Sequence, residues 1–342
     1  MNQSTRIRRH MEIGSCLATL DDDTIAGLLA DASTKRSGFG GRTARLQVGE
    51  AEVFCKMVPL TGLEAGAVIH GSTANVFCLP TYYQYGIGSV GFGAWRELAA
   101  HLITTDWVVK RLHGQFPLLH HWRVLRCNEG SLIDREAYEY LSHAAAIAED
   151  ETAIRRRLDA IRESKAVILL ITEYIPHTLS KWLIEKLQSD LTSANSAMIF
   201  VEQSARDAIS FIQSKNFIHF DAHLDNILTD GSSLFFSDFG LAVHESFELT
   251  SEERQFVARH NQYDAARFAS SLVHTICRAL PGDGGWLEKM QSLRLQPSGL
   301  PIAAISALKA FAPTASYMSE FSRTLMTTNR TAVFSAPEVE SQ

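Results

Sequence analysis

Asp221, Asn226 and Asp238 are the residues whose types and spacing could do chemistry together. The stretch Phe217-Ile218-His219-Phe220-Asp221-Ala222-His223-Leu224-Asp225-Asn226 sets a carboxylate and an amide in one loop, each flanked by apolar residues that anchor it. Asp238 then emerges from the apolar run Leu234-Phe235-Phe236 and is followed at once by Phe239-Gly240. Two carboxylates and an amide oxygen suit phosphoryl transfer. The γ-phosphoryl group passes through a loose transition state, so the protein supplies positioning and charge neutralisation. Asp221 fits the carboxylate that accepts or orients the proton of the incoming hydroxyl. Asn226 and Asp238 fit the hard oxygen ligands that Mg²⁺ prefers. Taken singly, an Asp or Asn is most often a turn former or a helix cap; the joint spacing and the strand context weigh against that plainer role.

These residues need elements to hold them. Two short strands, 226–229 and 233–237, joined at Asp230-Gly231, would bring both polar ends to one edge. Upstream, Ala166-Val167-Ile168-Leu169-Leu170-Ile171 has the length and composition of a strand buried on both faces, running into Thr172-Glu173-Tyr174-Ile175-Pro176. Helical patterns are expected at roughly 178–190, 196–215 and 262–280. Near the N-terminus, Ala44, Leu46 and Val48 alternate before Gly49-Glu50, and Val53-Phe54-Cys55-Lys56-Met57-Val58 follows, which predicts two strands joined by a tight turn and closed by Pro59. A helix is expected across Trp95, Leu98, Ala99, Leu102 and Ile103, short strands near Val76–Leu79 and Trp122–Leu125, and a helical insertion over 134–163.

His219-Phe220-Asp221 with Asn226 resembles the H-x-D-x-x-x-x-N catalytic loop of the protein-kinase superfamily, and Asp238-Phe239-Gly240 resembles its D-F-G. His223 departs from the usual serine/threonine kinase pattern, where Lys is common, and is similar to the aminoglycoside-phosphotransferase-like branch. Leu241-Ala242 after the D-F-G leans back towards protein kinases. The resemblance implies an α+β, bilobal fold, with a small antiparallel sheet in an N-lobe and a mainly helical C-lobe. It also implies ATP and Mg²⁺ as cofactors, Asp221 as the catalytic residue, and Asn226 and Asp238 as the metal ligands.

The same family requires a strand lysine for the α- and β-phosphates and a helix glutamate to hold it. Lys56 ends a Val-Phe-Cys-Lys strand of the V-A-I-K type, and Gly38, Gly40 and Gly41 in Gly38-Phe39-Gly40-Gly41 could lay N–H groups over the phosphates, although no clear strand precedes them. A rival register has Gly86-Ile87-Gly88-Ser89-Val90-Gly91 and Lys110. Helix rather than a strand pair follows those glycines, which favours Lys56. Glu97, on the first amphipathic helix after the strand, is then the expected partner, with Glu136 and Glu139 as alternatives. Glu173 and Ile175 flank the expected hinge, where backbone groups would bind adenine. Asp264 resembles the helix aspartate that braces the catalytic loop; an ordinary first-turn Asp would serve the helix dipole equally. No clear A-P-E motif closes the segment that follows Asp238-Phe239-Gly240.

Composition sets the limits. The chain has 342 residues, 46% of them hydrophobic, and a net charge of −6, which argues against a nucleic-acid partner. Five scattered cysteines without a C-x-x-C pair suit neither a disulfide framework nor zinc. With no secretory pattern and no long apolar run, a cytoplasmic protein with no membrane partner is expected. The expected organisation is an N-terminal extension with one short helix (1–36), an N-lobe with insertions and hinge (37–175), a C-lobe (176–334) and a polar tail (335–342). The expected activity is a divergent serine/threonine protein kinase acting on a protein substrate. The alternatives are a small-molecule kinase acting on an aminoglycoside- or choline-like acceptor, a pseudokinase binding module, and a kinase effector of a toxin or defence system.

Overall fold

A computed structural model of the chain describes residues 2–32, 35–38, 41–66, 68, 70–126, 135–146, 151–295 and 299–335. The protein is mixed α+β, with a small antiparallel sheet and an extensive helical part. In chain order its elements are α1 (Gln3–Ala18), α2 (Asp22–Ala30), β1 (Lys35–Gly38), β2 (Gly41–Val48), β3 (Ala51–Leu60), α3 (Ala94–Val109), β4 (Leu119–Arg126), α4 (Arg135–Ala146), α5 (Glu151–Arg162), β5 (Ala166–Glu173), β6 (His177–Thr178), α6 (Leu179–Leu187), α7 (Leu191–Ser214), β7 (Phe217–Ile218), β8 (Ile227–Thr229), β9 (Leu234–Phe236), β10 (Val243–His244), α8 (Ser251–Ala258), α9 (Tyr263–Ala279), α10 (Trp286–Leu295) and α11 (Ile302–Thr327). Among the described residues no helix is long and apolar enough to cross a membrane. The chain divides into two compact units: Met1–Tyr174 with Asp238–Phe256, and Ile175–Ser237 with Val257–Gln342.

The first unit is built on a five-stranded antiparallel sheet in the order β1-β2-β3-β5-β4. Strand period two sorts β5 between two faces. Val167, Leu169 and Ile171 join Ile13, Leu17 and Ile25 of α1 and α2 in one apolar cluster. Ile168 and Leu170 join Trp95 and Leu98 of α3 in another. Both faces are covered, so the strand reads as an unbroken apolar run. On β3, Val53 and Cys55 belong to the first cluster, whereas Val58 and Leu60 belong to the second. The alternation turns Lys56 toward α3.

The second unit contains a three-stranded antiparallel sheet, β6-β8-β9, and a helical assembly. Here α9 packs against α6, α7, α10 and α11. Asp190 caps α7, accepting from Thr192 N (3.1 Å) and Ser193 N (2.9 Å). At the start of α11, Ala303 N donates to Asn195 Oδ1 at 2.9 Å.

Several expectations need correction. The N-terminal extension holds two helices rather than one. The apolar stripe of α1 is narrow, and its buried Arg6 is satisfied by Glu173 (2.7 Å) and by the Gly114 and Phe116 carbonyls (2.7 and 2.8 Å), a tertiary solution that helix periodicity does not report. A strand does precede the early glycines. Among the described residues β1 is the edge of its sheet and pairs with β2 alone, so Lys35-Arg36-Ser37-Gly38 needs no continuous apolar pattern. Pro59 does not close β3; it pairs with Val167, and the strand runs on to Leu60. Val76–Leu79 is irregular, with Asn75 bonded to Leu79 through both its amide groups (2.7 and 2.9 Å). α10 and α11 were not anticipated beyond residue 280. Gly40 and residues 336–342 of the expected tail lie outside the described residues.

Candidate active site

In the second unit, β7 delivers the chain into the loop that carries His219, Asp221 and Asn226. Asp264, buried in the first turn of α9, fixes the entry to this loop. Its Oδ2 accepts from His219 N and its Oδ1 from Phe220 N, both at 2.8 Å. Burial pushes the Asp264 carboxyl up, while His219 and these two N–H groups favour its charged form. Phe220 sits in the left-handed region (φ 61°), rare for a residue with a Cβ, and its ring packs against His260 and Tyr263 at 5.7 and 5.3 Å. His219 Nε2 meets Ser237 O at 2.9 Å, and Asp221 N donates to His219 Nδ1 at 3.3 Å. A proton on Nε2 and an open Nδ1 lone pair suit both contacts.

Asp221 is therefore held at its backbone before its side chain makes any contact. Its carboxylate accepts from Asn226 Nδ2 at 2.8 Å and from Arg267 Nη2 at 3.2 Å, with His223 Nε2 at 3.5 Å. Burial pushes the Asp221 pKa up, but His223, Arg267 and His219 outweigh it and hold the group well below the usual carboxylate range. Asn226 Nδ2 also donates to Asp221 O at 3.2 Å, which turns its amide oxygen away from Asp221. The main chain of Asn226 accepts from Ser237 N (3.0 Å) and Ser237 Oγ (2.7 Å), tying the loop to the end of β9.

Sequence reasoning missed Arg267 and Ser271. With Asp264 they occupy positions i, i+3 and i+7 of α9, one face of the helix. Asp264 holds the His219 and Phe220 amides, Arg267 the Asp221 carboxylate, and Ser271 Oγ the Leu224 amide (3.0 Å). The signal was a polar stripe on an otherwise strongly apolar helix.

In the first unit, Lys56, Glu97 and Asp238 come together from three separate segments. Lys56 Nζ lies 2.6 Å from Glu97 Oε1 and 2.8 Å from Asp238 Oδ1. Lys56 and Glu97 are buried, whereas the Asp238 side chain is 50% exposed. Burial pulls the Lys56 pKa down, but the Asp238 and Glu97 carboxylates outweigh this and hold it above the ordinary lysine value. Burial pushes Glu97 up, with Lys56 opposing and Asp238 adding to the rise. Asp238 has φ 63°, again left-handed and strained for a non-glycine residue. Behind it, the buried Phe239 ring meets His101 of α3 at 4.8 Å and Phe116 at 6.5 Å.

The remaining expected residues are placed as follows. Gly38 pairs with Gly41 across the β1–β2 hairpin. Gly41 has φ 117°, and a methyl group there would strike the Met57 carbonyl, so glycine is needed for close strand approach. The Glu173 carboxylate takes Arg6 (2.9 and 2.7 Å), and its N–H donates to Leu118 O at 2.8 Å. Ile175 is buried at the start of the second unit. Glu136 and Glu139 are exposed on α4. In the rival register, Lys110 caps the end of α3 and pairs with Asp106 at 2.8 Å on the same helix. Gly86 and Gly91 lie against Leu241 and Gly240 instead.

No protein-family model matches the chain, and no curated protein matches it.

Proposed function

We propose that this chain is an ATP- and Mg²⁺-dependent phosphotransferase of the protein-kinase-like superfamily with a bilobal fold, acting as a divergent serine/threonine kinase on a protein hydroxyl. One observation carries it. A buried lysine on a central strand is gripped by a helix glutamate at 2.6 Å and by the Asp of Asp238-Phe239-Gly240 at 2.8 Å. Three buried or half-buried charges drawn from distant segments are costly to assemble for stability alone. A cation kept protonated within reach of a half-exposed carboxylate is what a triphosphate and its metal require.

Mg²⁺ takes a few hard protein oxygens and keeps its remaining positions for phosphate and water, and an amide oxygen and a carboxylate are donors of that kind. Asn226 would contribute its amide oxygen, because its Nδ2 is committed to Asp221. Asp238 would contribute its carboxylate. The bound ion would neutralise charge on the β- and γ-phosphates. Lys56 would hold the α- and β-phosphates, with Glu97 fixing its direction. Asp221, held ionised by Arg267 and His223, is a weak proton acceptor at neutral pH. Its role is to accept a hydrogen bond from the acceptor hydroxyl and aim that oxygen at the γ-phosphorus; full proton transfer to it comes late.

A small-molecule acceptor is the second reading, favoured by His223 standing 3.5 Å from the Asp221 carboxylate. Incubation with γ-labelled ATP and Mg²⁺, beside the Asp221→Ala and Asp238→Ala proteins, tests both readings. Label on the wild-type protein, reduced at least ~10³-fold in both variants, is the expected result. ADP release only when an aminoglycoside or choline is added would shift the assignment to the second reading. Failure of the wild-type protein to bind Mg²⁺·ATP would overturn both.

A further inference from the structure

We propose that the segment Thr81–Gly93 is an intramolecular clamp that positions Asp238-Phe239-Gly240, with Gln84 and Gly91 as its positioning residues; the functional consequence rests on the phosphotransferase reading above. Its glycines resemble a phosphate loop by sequence, yet their backbone meets protein. Gln84 Nε2 donates to the Leu241 carbonyl. A methyl group on Gly86 would stand 2.9 Å from Leu241 Cδ1, and one on Gly91 would be driven into the Gly240 carbonyl oxygen. The clamp therefore touches the two residues that follow Asp238-Phe239, and at Gly91 the approach is to main chain and only glycine permits it.

The clamp is itself braced. Val90 N donates to Tyr83 Oη at 3.2 Å and Gly91 N to Ser89 Oγ at 3.1 Å, which closes the glycine turn on itself. One end is fastened through Glu64, which accepts from Ala94 N at 2.8 Å and from Arg157 at 2.7 Å in a buried pair. Beyond that same end, Arg96 holds Glu253 at 2.7 Å, also buried, and nearer the other end Tyr85 meets Phe256 at 5.4 Å. The segment after Asp238 is thus gripped at Gly240–Leu241 and again at Glu253–Phe256. On its other side Gly240 lies beside the carboxylates of the cluster, where a methyl group would be in ordinary contact with Glu97 Oε2 at 3.5 Å and Asp238 Oδ1 at 3.6 Å. Gly240 also follows Asp238 by two residues, so a displaced Gly240 displaces the backbone that carries the Asp238 carboxylate.

Gly71 provides a matched control, with φ 79° against 77° at Gly91 but nothing within 4 Å of an added methyl group. Gly91→Ala and Gly71→Ala therefore share the backbone strain, and only the first meets an obstacle. Gly91→Ala is expected to speed amide hydrogen exchange at Phe239–Ala242 roughly tenfold and to lower turnover of Mg²⁺·ATP by about 10–100-fold, while Gly71→Ala does neither. If Gly91→Ala does not fold, Gln84→Met, which removes only the bond to Leu241, is expected to raise exchange at the same amides about threefold. Exchange at Phe239–Ala242 that is equal in Gly91→Ala and Gly71→Ala, or unchanged in Gln84→Met, overturns the clamp. Exchange that responds as expected in a wild-type background with no turnover supports the clamp and sinks phosphotransfer.

Discussion

The two clusters of candidate site residues are held by different physics. In the second unit, the Asp221 loop hangs on main-chain bonds: two consecutive amides donate to one buried carboxylate, and a third donates to Ser271. In the first unit, Lys56, Glu97 and Asp238 are held by charge, with one ammonium between two carboxylates at 2.6 and 2.8 Å. A main-chain anchor fixes direction and fails mechanically when its acceptor is lost. A charge cluster fixes mutual distance and fails electrostatically, so its failure depends on pH. The contrast separates the scaffold that aims Asp221 from the grip that holds Lys56.

Asp264→Ala presses hardest on this contrast. It strands two buried N–H groups, at about 1–3 kcal/mol each, so a loss of roughly 2–6 kcal/mol in urea unfolding is expected. Asp264→Asn keeps one acceptor oxygen and loses about half as much. Faster exchange of the His219 and Phe220 amides should accompany both. Stability of Asp264→Ala within ~0.5 kcal/mol of wild type would show that the loop is held by something other than this carboxylate.

Lys56→Met should break the charge cluster while preserving the length of the side chain. Removing one partner from a buried ionic set costs about 3 kcal/mol when the remaining charge cannot relax. Glu97 can relax by taking a proton. Its pKa is already raised by burial, and it loses the cation that opposes the rise. A carboxyl raised in the folded state contributes stability that is complete below its unfolded pKa, near 4.3, and is lost as pH climbs through the folded value. Relative to wild type at each pH, Lys56→Met is therefore expected to be less destabilised at pH 5 than at pH 8. A penalty that does not change between those pH values would mean that Glu97 stays ionised without Lys56.

What the sequence disclosed follows the same division. Asp221, Asn226 and the hairpin to Asp238 lie in one short stretch, so their spacing carried the site without any knowledge of packing. Lys56 was legible because the alternation around it predicts a strand, and Glu97 only because it lies on the next amphipathic helix. Arg267 and Ser271 were hidden for the opposite reason: they lie among the apolar positions that predict the 262–280 helix, and of the i, i+3, i+7 stripe only Asp264 stood out. The packing of α1 on the sheet was illegible because its buried Arg6 finds its partners at Gly114, Phe116 and Glu173. The glycines at 86–91 are ambiguous in a third way. Glycine marks close backbone approach, and nothing in the pattern Gly-x-Gly-x-x-Gly says whether a phosphate or the Gly240 carbonyl does the approaching.

The smallest effect sharpens the contrast through acid. His120 on β4 is buried, its Nδ1 lies 3.1 Å from Nδ1 of His10 on α1, and its pKa is lowered to about 3, by burial first and then by His10, Arg9 and Arg6. A histidine depressed in the folded state contributes stability that is present above its unfolded pKa of about 6.5 and is lost as pH falls below that value toward the folded one. Between pH 6.5 and pH 5 the loss is about 2 kcal/mol. Asp221 is depressed as well, but from an ordinary carboxylate value, so its contribution begins to fade only below about pH 4. Lowering the pH from 6.5 to 5 should therefore lower the amide protection factors in β4 and α1 while leaving those of the Asp221 loop unchanged. His120→Gln, which cannot titrate, should remove most of that pH dependence in β4. If β4 in this variant responds to pH as wild type does, the acid sensitivity belongs to another group, and the difference between the units lies in their site clusters alone.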